Sequence, residues 1–214
     1  MELGKELLLL GHASFLLRHS GKNIYIDPFM LPPTTTKADL IIITHGHYDH
    51  WNPADIEKIY KPATEIICSK LCDGSEKYKN LTVMSPGESK EVMGLKIDAT
   101  RAYNIAPEKI AFHPKGNDWL GYVIEVDGRR IYHAGDTDFI PEMKSLKNIY
   151  AALLPMGGHY TMEVNEMIEA ARAIGADYTV PIHYRRLLGD KARESEKKLK
   201  AAIDKTVILE EVKP

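Results

Sequence analysis

Three histidines and an aspartate crowd into the segment Thr44-His45-Gly46-His47-Tyr48-Asp49-His50. The chain has 9 histidines in all, and chance placement would produce such a cluster on the order of one time in a thousand. Imidazole nitrogen and carboxylate oxygen together suit zinc, manganese, iron or nickel. His45 and His47 stand two apart and Asp49 and His50 follow at once, so the four side chains could serve two adjacent ions rather than one. The cluster also follows a continuous apolar run, Asp39–Thr44. Such a run reads as a strand buried on both faces, and the loop leaving it can aim several side chains at one point.

Strand and helix signals around the cluster come in three blocks. The first holds strands over Glu6–Leu10, Ala13–Arg18, Asn23–Asp27, Asp39–Thr44 and Glu65–Cys68. It also holds a short helix over Pro53–Tyr60, with Asn52 as its N-cap and Pro53 at its first position. The second block holds strands over Thr82–Ser85, Ser89–Met93, Leu95–Tyr103, Leu120–Val126 and Arg129–Ala134. Asp127-Gly128 between the last two is a hairpin signal. The third alternates: strand Ala151–Leu154, helix Val164–Ile174 with Gly175 as its C-cap, strand Tyr178–Ile182, charged helix Asp190–Ile203 and a final strand Thr206–Glu210. Asn104–Asp118 lacks a clear period and reads as a loop. This order predicts an α/β (α+β) chain of two sheets with helices outside, as one domain over residues 1–214.

Composition excludes several classes. At 214 residues, with 44% hydrophobic and 27% charged side chains, the chain has the make-up of an ordinary globular protein. The apolar runs Leu7–Leu10 and Leu40–Ile43 are far short of the roughly 20 residues that a membrane span needs, so no membrane association is expected. A net charge of −2 argues against nonspecific nucleic-acid binding. Met1–Leu10 reads as a first strand rather than a signal peptide. Cys68 and Cys72 read as unremarkable reduced thiols, with a metal-binding pair as the alternative. The expected location is the cytoplasm and the expected partner a small-molecule substrate; a homo-oligomer is left open.

The pattern His45-x-His47-x-Asp49-His50 resembles the signature of the metallo-β-lactamase superfamily, and further landmarks sit in the family's order. These are Asp27-Pro28 after an early strand, His133-Ala134-Gly135-Asp136-Thr137, and Pro181-Ile182-His183-Tyr184. Gly11-His12-Ala13-Ser14 and Leu154-Pro155-Met156-Gly157-Gly158-His159 are similar to the compact branch of metal-dependent hydrolases, which includes ascorbate-lactonase-like proteins. The resemblance implies a four-layer αββα sandwich and two divalent ions, zinc first, with Mn2+, Fe2+ or Ni2+ as alternatives. On that pattern His45 and His47 bind the first metal, Asp49, His50 and His183 the second, and Asp136 bridges them. A hydroxide between the ions would attack a small ester, lactone or phosphodiester, and Asp49 could move a proton.

One position departs from the family. A third histidine for the first metal is expected after a middle strand, where this chain has Asn104. Either the loop folds back so that His113 supplies the ligand, the alternative favoured here, or Asn104 or water takes its place. His12 is read as a metal-pocket residue, with turn capping as the alternative. His159, in a Gly-Gly loop after a buried strand, is read as a substrate-pocket residue. His133 reads as a packed histidine behind the ligands, and His19 as a surface residue. Arg185-Arg186 reads first as a solvated loop, with binding of a substrate phosphate or carboxylate as its functional alternative. Asn104–Asp118, with Lys109, His113 and Lys115, reads equally as a lid over the site or as a plain surface excursion. Trp51 and Trp119 read as buried aromatics. Beside the hydrolase stand three other functions: a nuclease of the superfamily, an iron-dependent redox enzyme, and a non-catalytic metal- or ligand-binding protein.

Overall fold

The computed structural model describes residues 2–33 and 35–212. It divides into two compact units: one runs to Ser85 and takes back the segment from Leu209, and the other is Pro86–Ile208.

The first unit is built on a six-stranded sheet: β1 (Leu7–Gly11), β2 (Ser14–His19), β3 (Lys22–Ile26), β4 (Leu40–Ile43), β5 (Glu65–Cys68) and β6 (Leu81–Val83), adjacent in that order. β1, β2 and β3 form an antiparallel meander, while β4, β5 and β6 add in parallel to β3. All of these strands except β2 therefore run the same way. Their C-terminal ends lie along one edge of the sheet, and His12, Asp27 and the segment from Thr44 to His50 leave from that edge. The four residues of β4 are all buried, as the unbroken apolar run requires. Helix α1 (Pro53–Ile59) is capped by the Asn52 side chain, which accepts from the Asp55 amide. It buries Ile56 and Ile59 with Leu16, Tyr25, Ile41, Ile43 and Trp51 in one core cluster. Cys68 and Cys72 belong to that cluster and form no disulfide. Cys72 hydrogen-bonds to Cys68, which lowers the Cys68 thiol's pKa and raises that of Cys72.

The second unit carries another six-stranded sheet. Its strands are β7 (Ser89–Val92), β8 (Leu95–Arg101), β9 (Leu120–Val126), β10 (Arg129–His133), β11 (Ile149–Pro155) and β12 (Tyr178–Ile182), again in sequence order across the sheet. β7 to β10 are antiparallel, and β11 and β12 add in parallel to β10. The β9–β10 turn places Asp127 and Gly128 both at positive φ, the backbone that an Asp-Gly hairpin turn needs. β8, β10, β11 and β12 share one direction, so the chain leaves them toward Asn104, Asp136, His159 and His183 along one edge. Helix α2 (Val164–Ile174) ends at Gly175 in the left-handed region. It packs Met167, Ile168, Ala171 and Ile174 into a core with Tyr132, Leu154 and Leu199.

Two expected elements change. Thr206–Glu210 is not a strand: it makes one bridge, Thr206 to Thr179. Thr179 donates to Lys205 and accepts from Val207 on that side of β12. The next donor position along the same side is Pro181, which has no N–H, so the ladder stops. The stretch at Arg185-Arg186, expected as a loop, forms a four-residue helix α3 (Arg185–Leu188) followed by a tight turn over Gly189–Lys191, while the charged helix expected over Asp190–Ile203 is present as α4 (Ala192–Ala202). Arg185 lies over the Tyr184 ring and within 3.5 Å of Glu196. Trp51 and Trp119 are buried. Among the described residues, no helix is long and apolar enough to cross a membrane.

Candidate functional site

In the first unit the chemistry gathers at the C-terminal edge of β1, β3 and β4. Thr44 follows β4 and is fully buried. Its amide and hydroxyl donate to the two oxygens of the Asp27 carboxylate, at 2.8 and 2.7 Å. The same carboxylate is 2.7 Å from Nδ1 of His50. A carboxylate accepts only, so His50 must donate from Nδ1, which leaves the Nε2 lone pair as its ligand atom. The Thr44 hydroxyl has spent its one proton on Asp27. Toward Nδ1 of His45, 3.0 Å away, it can only accept. His45 is thereby held in the same tautomer and also offers Nε2. That atom lies 3.0 Å from Nδ1 of His47, close to the ~3.3 Å between two nitrogens on one tetrahedral ion with bonds of about 2.0 Å.

Only glycine fits between these two histidines. A Cβ on Gly46 would collide with the backbone carbonyl of Leu71, so the loop lies directly against the Ser69–Gly74 turn. His12 and Asp27 both stand at positive φ, each just past a strand end, a conformation that costs of order 1–3 kcal/mol per non-glycine residue. His12 directs Nε2 to an Asp49 oxygen at 3.1 Å. Its ring also packs against Phe29, which in turn meets the exposed Tyr48 edge to face.

In the second unit the candidates come from separate loops. Asp136 follows β10, and one of its oxygens lies 3.1 Å from Nε2 of His183 and 3.4 Å from Nε2 of His113. All three residues are buried. His183, at positive φ, follows β12 directly. Gly157 makes room for it, because a Cβ there would come within 2.5 Å of the His183 carbonyl. His113 lies in the Asn104–Asp118 loop, nine residues after Asn104 in sequence, and its Nδ1 is 2.7 Å from the Asn104 side-chain oxygen. Of the two expected alternatives at this position, the structure puts His113 beside Asp136 and Asn104 behind His113.

The loop itself is neither a solvated excursion nor a detached lid. Asp138, fully buried, accepts from the backbone amides of Ile105 and Ala106 at 2.9 and 3.0 Å and from the Asn104 amide at 3.0 Å. Lys109 is buried, donates to the Thr161 carbonyl at 2.8 Å, and lies 3.5 Å from Asp138. His159 is exposed and sits in an aromatic group, 5.3 Å from the Phe112 ring and 4.5 Å from the Tyr160 ring. His133 is buried, and its Nδ1 accepts from the Gly135 amide, the packed role expected of it. The sequence reading missed Asp138 and the anchoring part of Lys109. The Asp136-Thr137-Asp138 repeat was a visible signal for the first. Nothing in the sequence marks Lys109 as buried.

Residues 6–183 match the Beta-lactamase superfamily domain. That match spans most of the chain and takes in every candidate ligand. The chain belongs to the metallo-β-lactamase superfamily. A metal-dependent hydrolase of Thermoplasma volcanium is 36% identical over 97% of this chain and 96% of its own length. Among solved structures, a protein from Parabacteroides distasonis described as a metal-dependent hydrolase is 34% identical, with a TM-score of 0.86 over 96% of this chain and 92% of that one. A diiron β-hydroxylase from Streptomyces venezuelae, 14% identical, shares the fold alone, with a TM-score of 0.71 over 95% of this chain and 52% of its own. The α/β fold with two six-stranded sheets is thus the metallo-β-lactamase fold that the resemblance implied.

Proposed function

We propose that this protein hydrolyses a small ester, lactone or phosphodiester with the help of two divalent cations. The broader statement follows from membership: full-length relatives are metal-dependent hydrolases, and this chain is a metal-dependent hydrolase of the same superfamily. The finer reading assigns His45, His47, Asp49 and His50 of the first unit, and His113, Asp136 and His183 of the second, as the metal ligands. One observation carries it: Asp27 and Thr44 fix the tautomers of His50 and His45 so that both present Nε2. Such hydrogen bonds on the far ring nitrogen are the usual partners of metal-binding histidines. The donor set of imidazoles and carboxylates fits zinc, manganese, iron or nickel.

Bound there, divalent ions would lower the pKa of water towards neutrality and polarise the scissile oxygen. The remaining roles belong to the chain's own groups. Asp49, half-buried and 3.1 Å from His12, is placed to take up a proton and return it to the leaving group. His12 steadies that carboxylate and completes the assigned pair. His159 and its aromatic neighbours form a surface for the non-reacting part of the substrate. The substrate is soluble and small, and neither nucleic acid nor membrane is needed; the cytoplasm is the compartment we assign.

Elemental analysis of protein purified without chelator tests this reading. We expect about two ions per chain, predominantly zinc or manganese, and loss of metal and esterase or phosphodiesterase activity together in His47→Ala. Full activity of metal-free protein would refute it. Iron with oxygen consumption would move the chain to the redox chemistry that the fold also supports.

A further inference from the structure

We propose that Asn104 is a positioning residue that selects the tautomer of His113 and so decides which of its ring nitrogens can meet a metal. The inference rests on the reading of His113 as a ligand and follows from counting protons. The Asn104 NH2 group donates twice, to Asp138 at 3.0 Å and to the Tyr160 carbonyl at 3.1 Å. Both partners are acceptors only in these contacts, so the amide cannot be turned end for end without facing oxygen to oxygen at two places. Its carbonyl oxygen is therefore the atom that faces His113, and an amide oxygen only accepts. At 2.7 Å, His113 must donate from Nδ1. In the neutral ring this leaves Nε2 as a lone pair, turned toward the Asp136 carboxylate 3.4 Å away. Two acceptors at that distance repel each other unless a cation lies between them.

Asp138 is the fixed point of the arrangement. It is held by the amides of Ile105 and Ala106 and by Lys109, so it cannot rotate to release the Asn104 amide. A neutral amide backed by a buried carboxylate thus does for His113 what the Asp27 carboxylate does directly for His50. The position where the family places a metal-binding histidine has become the group that aims a histidine from farther along the loop.

Long-range 1H–15N correlation of the histidine rings tests this on the intact protein, first metal-free at mildly alkaline pH and then with zinc. The expected result is a His113 with a protonated Nδ1 in both states and a zinc-dependent shift of Nε2. A protonated Nε2 with bare Nδ1 in the metal-free protein would overturn the assignment of Asn104. Protonated Nδ1 with no response of Nε2 to zinc would leave the hydrogen bond in place but remove His113 from the metal site, overturning the reading on which the inference rests. Two variants separate positioning from packing. Asn104→Asp keeps an acceptor opposite His113, whereas Asn104→Leu removes it at similar volume. We expect Asn104→Leu to weaken zinc binding about 10- to 100-fold and to lose the single tautomer. Asn104→Asp should retain the tautomer and bind zinc more tightly than Asn104→Leu. A merely structural role predicts the opposite order, because a new carboxylate beside Asp138 disturbs the buried site more than a leucine does.

Discussion

The two units solve the same problem, holding an imidazole by its far nitrogen, with different materials. In the first, one carboxylate does it at once: Asp27 takes the Thr44 amide, the Thr44 hydroxyl and the His50 ring. All the candidate ligands there lie within six consecutive residues of one loop. In the second, the carboxylate stands one step back. Asp138 fixes Asn104, and Asn104 fixes His113, while Asp136 and His183 arrive from other strand ends. The difference teaches where robustness comes from. A contiguous loop needs only a strand end and one anchor. A site gathered from distant segments needs a buried scaffold, and here that scaffold includes a buried ammonium, Lys109. The first unit's weak point is therefore metal affinity, and the second unit's is folding.

Changing each carboxylate to its amide tests that contrast most strongly. Asp138→Asn leaves Lys109 without its fully buried counter-charge, and removing one partner of a buried pair costs about 3 kcal/mol or more. We expect a clear fall in the urea midpoint. Asp27→Asn should behave differently, because His50 can exchange tautomers and accept from the new amide. Stability should change by only about 1 kcal/mol, while metal affinity falls about 10- to 100-fold, as isothermal titration would show. If both variants lose stability equally, the contrast fails.

The glycines give the next largest effect. Gly46→Ala drives a Cβ into the Leu71 carbonyl, and Gly157→Ala meets both the His183 carbonyl and a movable Leu187 side chain. Overpacking costs about 1–3 kcal/mol, and Gly46→Ala should stand at the upper end because its obstacle is backbone alone. Thermal melts of the two variants decide the order.

The smallest effect marks what lies outside both sites. A hydrogen bond from the Lys61 ammonium, at 2.7 Å, holds the Asp39 carboxyl below its usual pKa range. A carboxyl depressed in the folded state stabilises the protein above its unfolded value of about 4 and loses that contribution as pH falls through the folded value. Lys61 is partly exposed, so the gain is at most about 1 kcal/mol. Asp39→Asn should flatten the acid limb of stability against pH by that amount and leave metal binding unchanged.

Much of this was legible in the residues. The cluster from His45 to His50 declared itself because its candidate ligands are neighbours in sequence, and local spacing survives folding. The strand ends at Asp27, Asp136 and His183 were readable because apolar runs stop there. Asn52, Gly175 and Asp127-Gly128 marked their caps and turn by local backbone chemistry alone. The final strand at Thr206–Glu210 was misread because its apolar pattern is real but its would-be partner presents Pro181 where an N–H is needed, a fact of register between distant segments.

The sequence by itself thus determined the kind of chemistry and the side chains available for it, since donor atoms and their local spacing are covalent facts. Only the tertiary structure set His113 beside Asp136 with Asn104 behind it, buried Lys109, and made Asp138 the anchor of a loop without period. Those outcomes depend on which buried donors find which acceptors across tens of residues, and hydrogen-bond satisfaction in a core is settled only when the whole chain has folded.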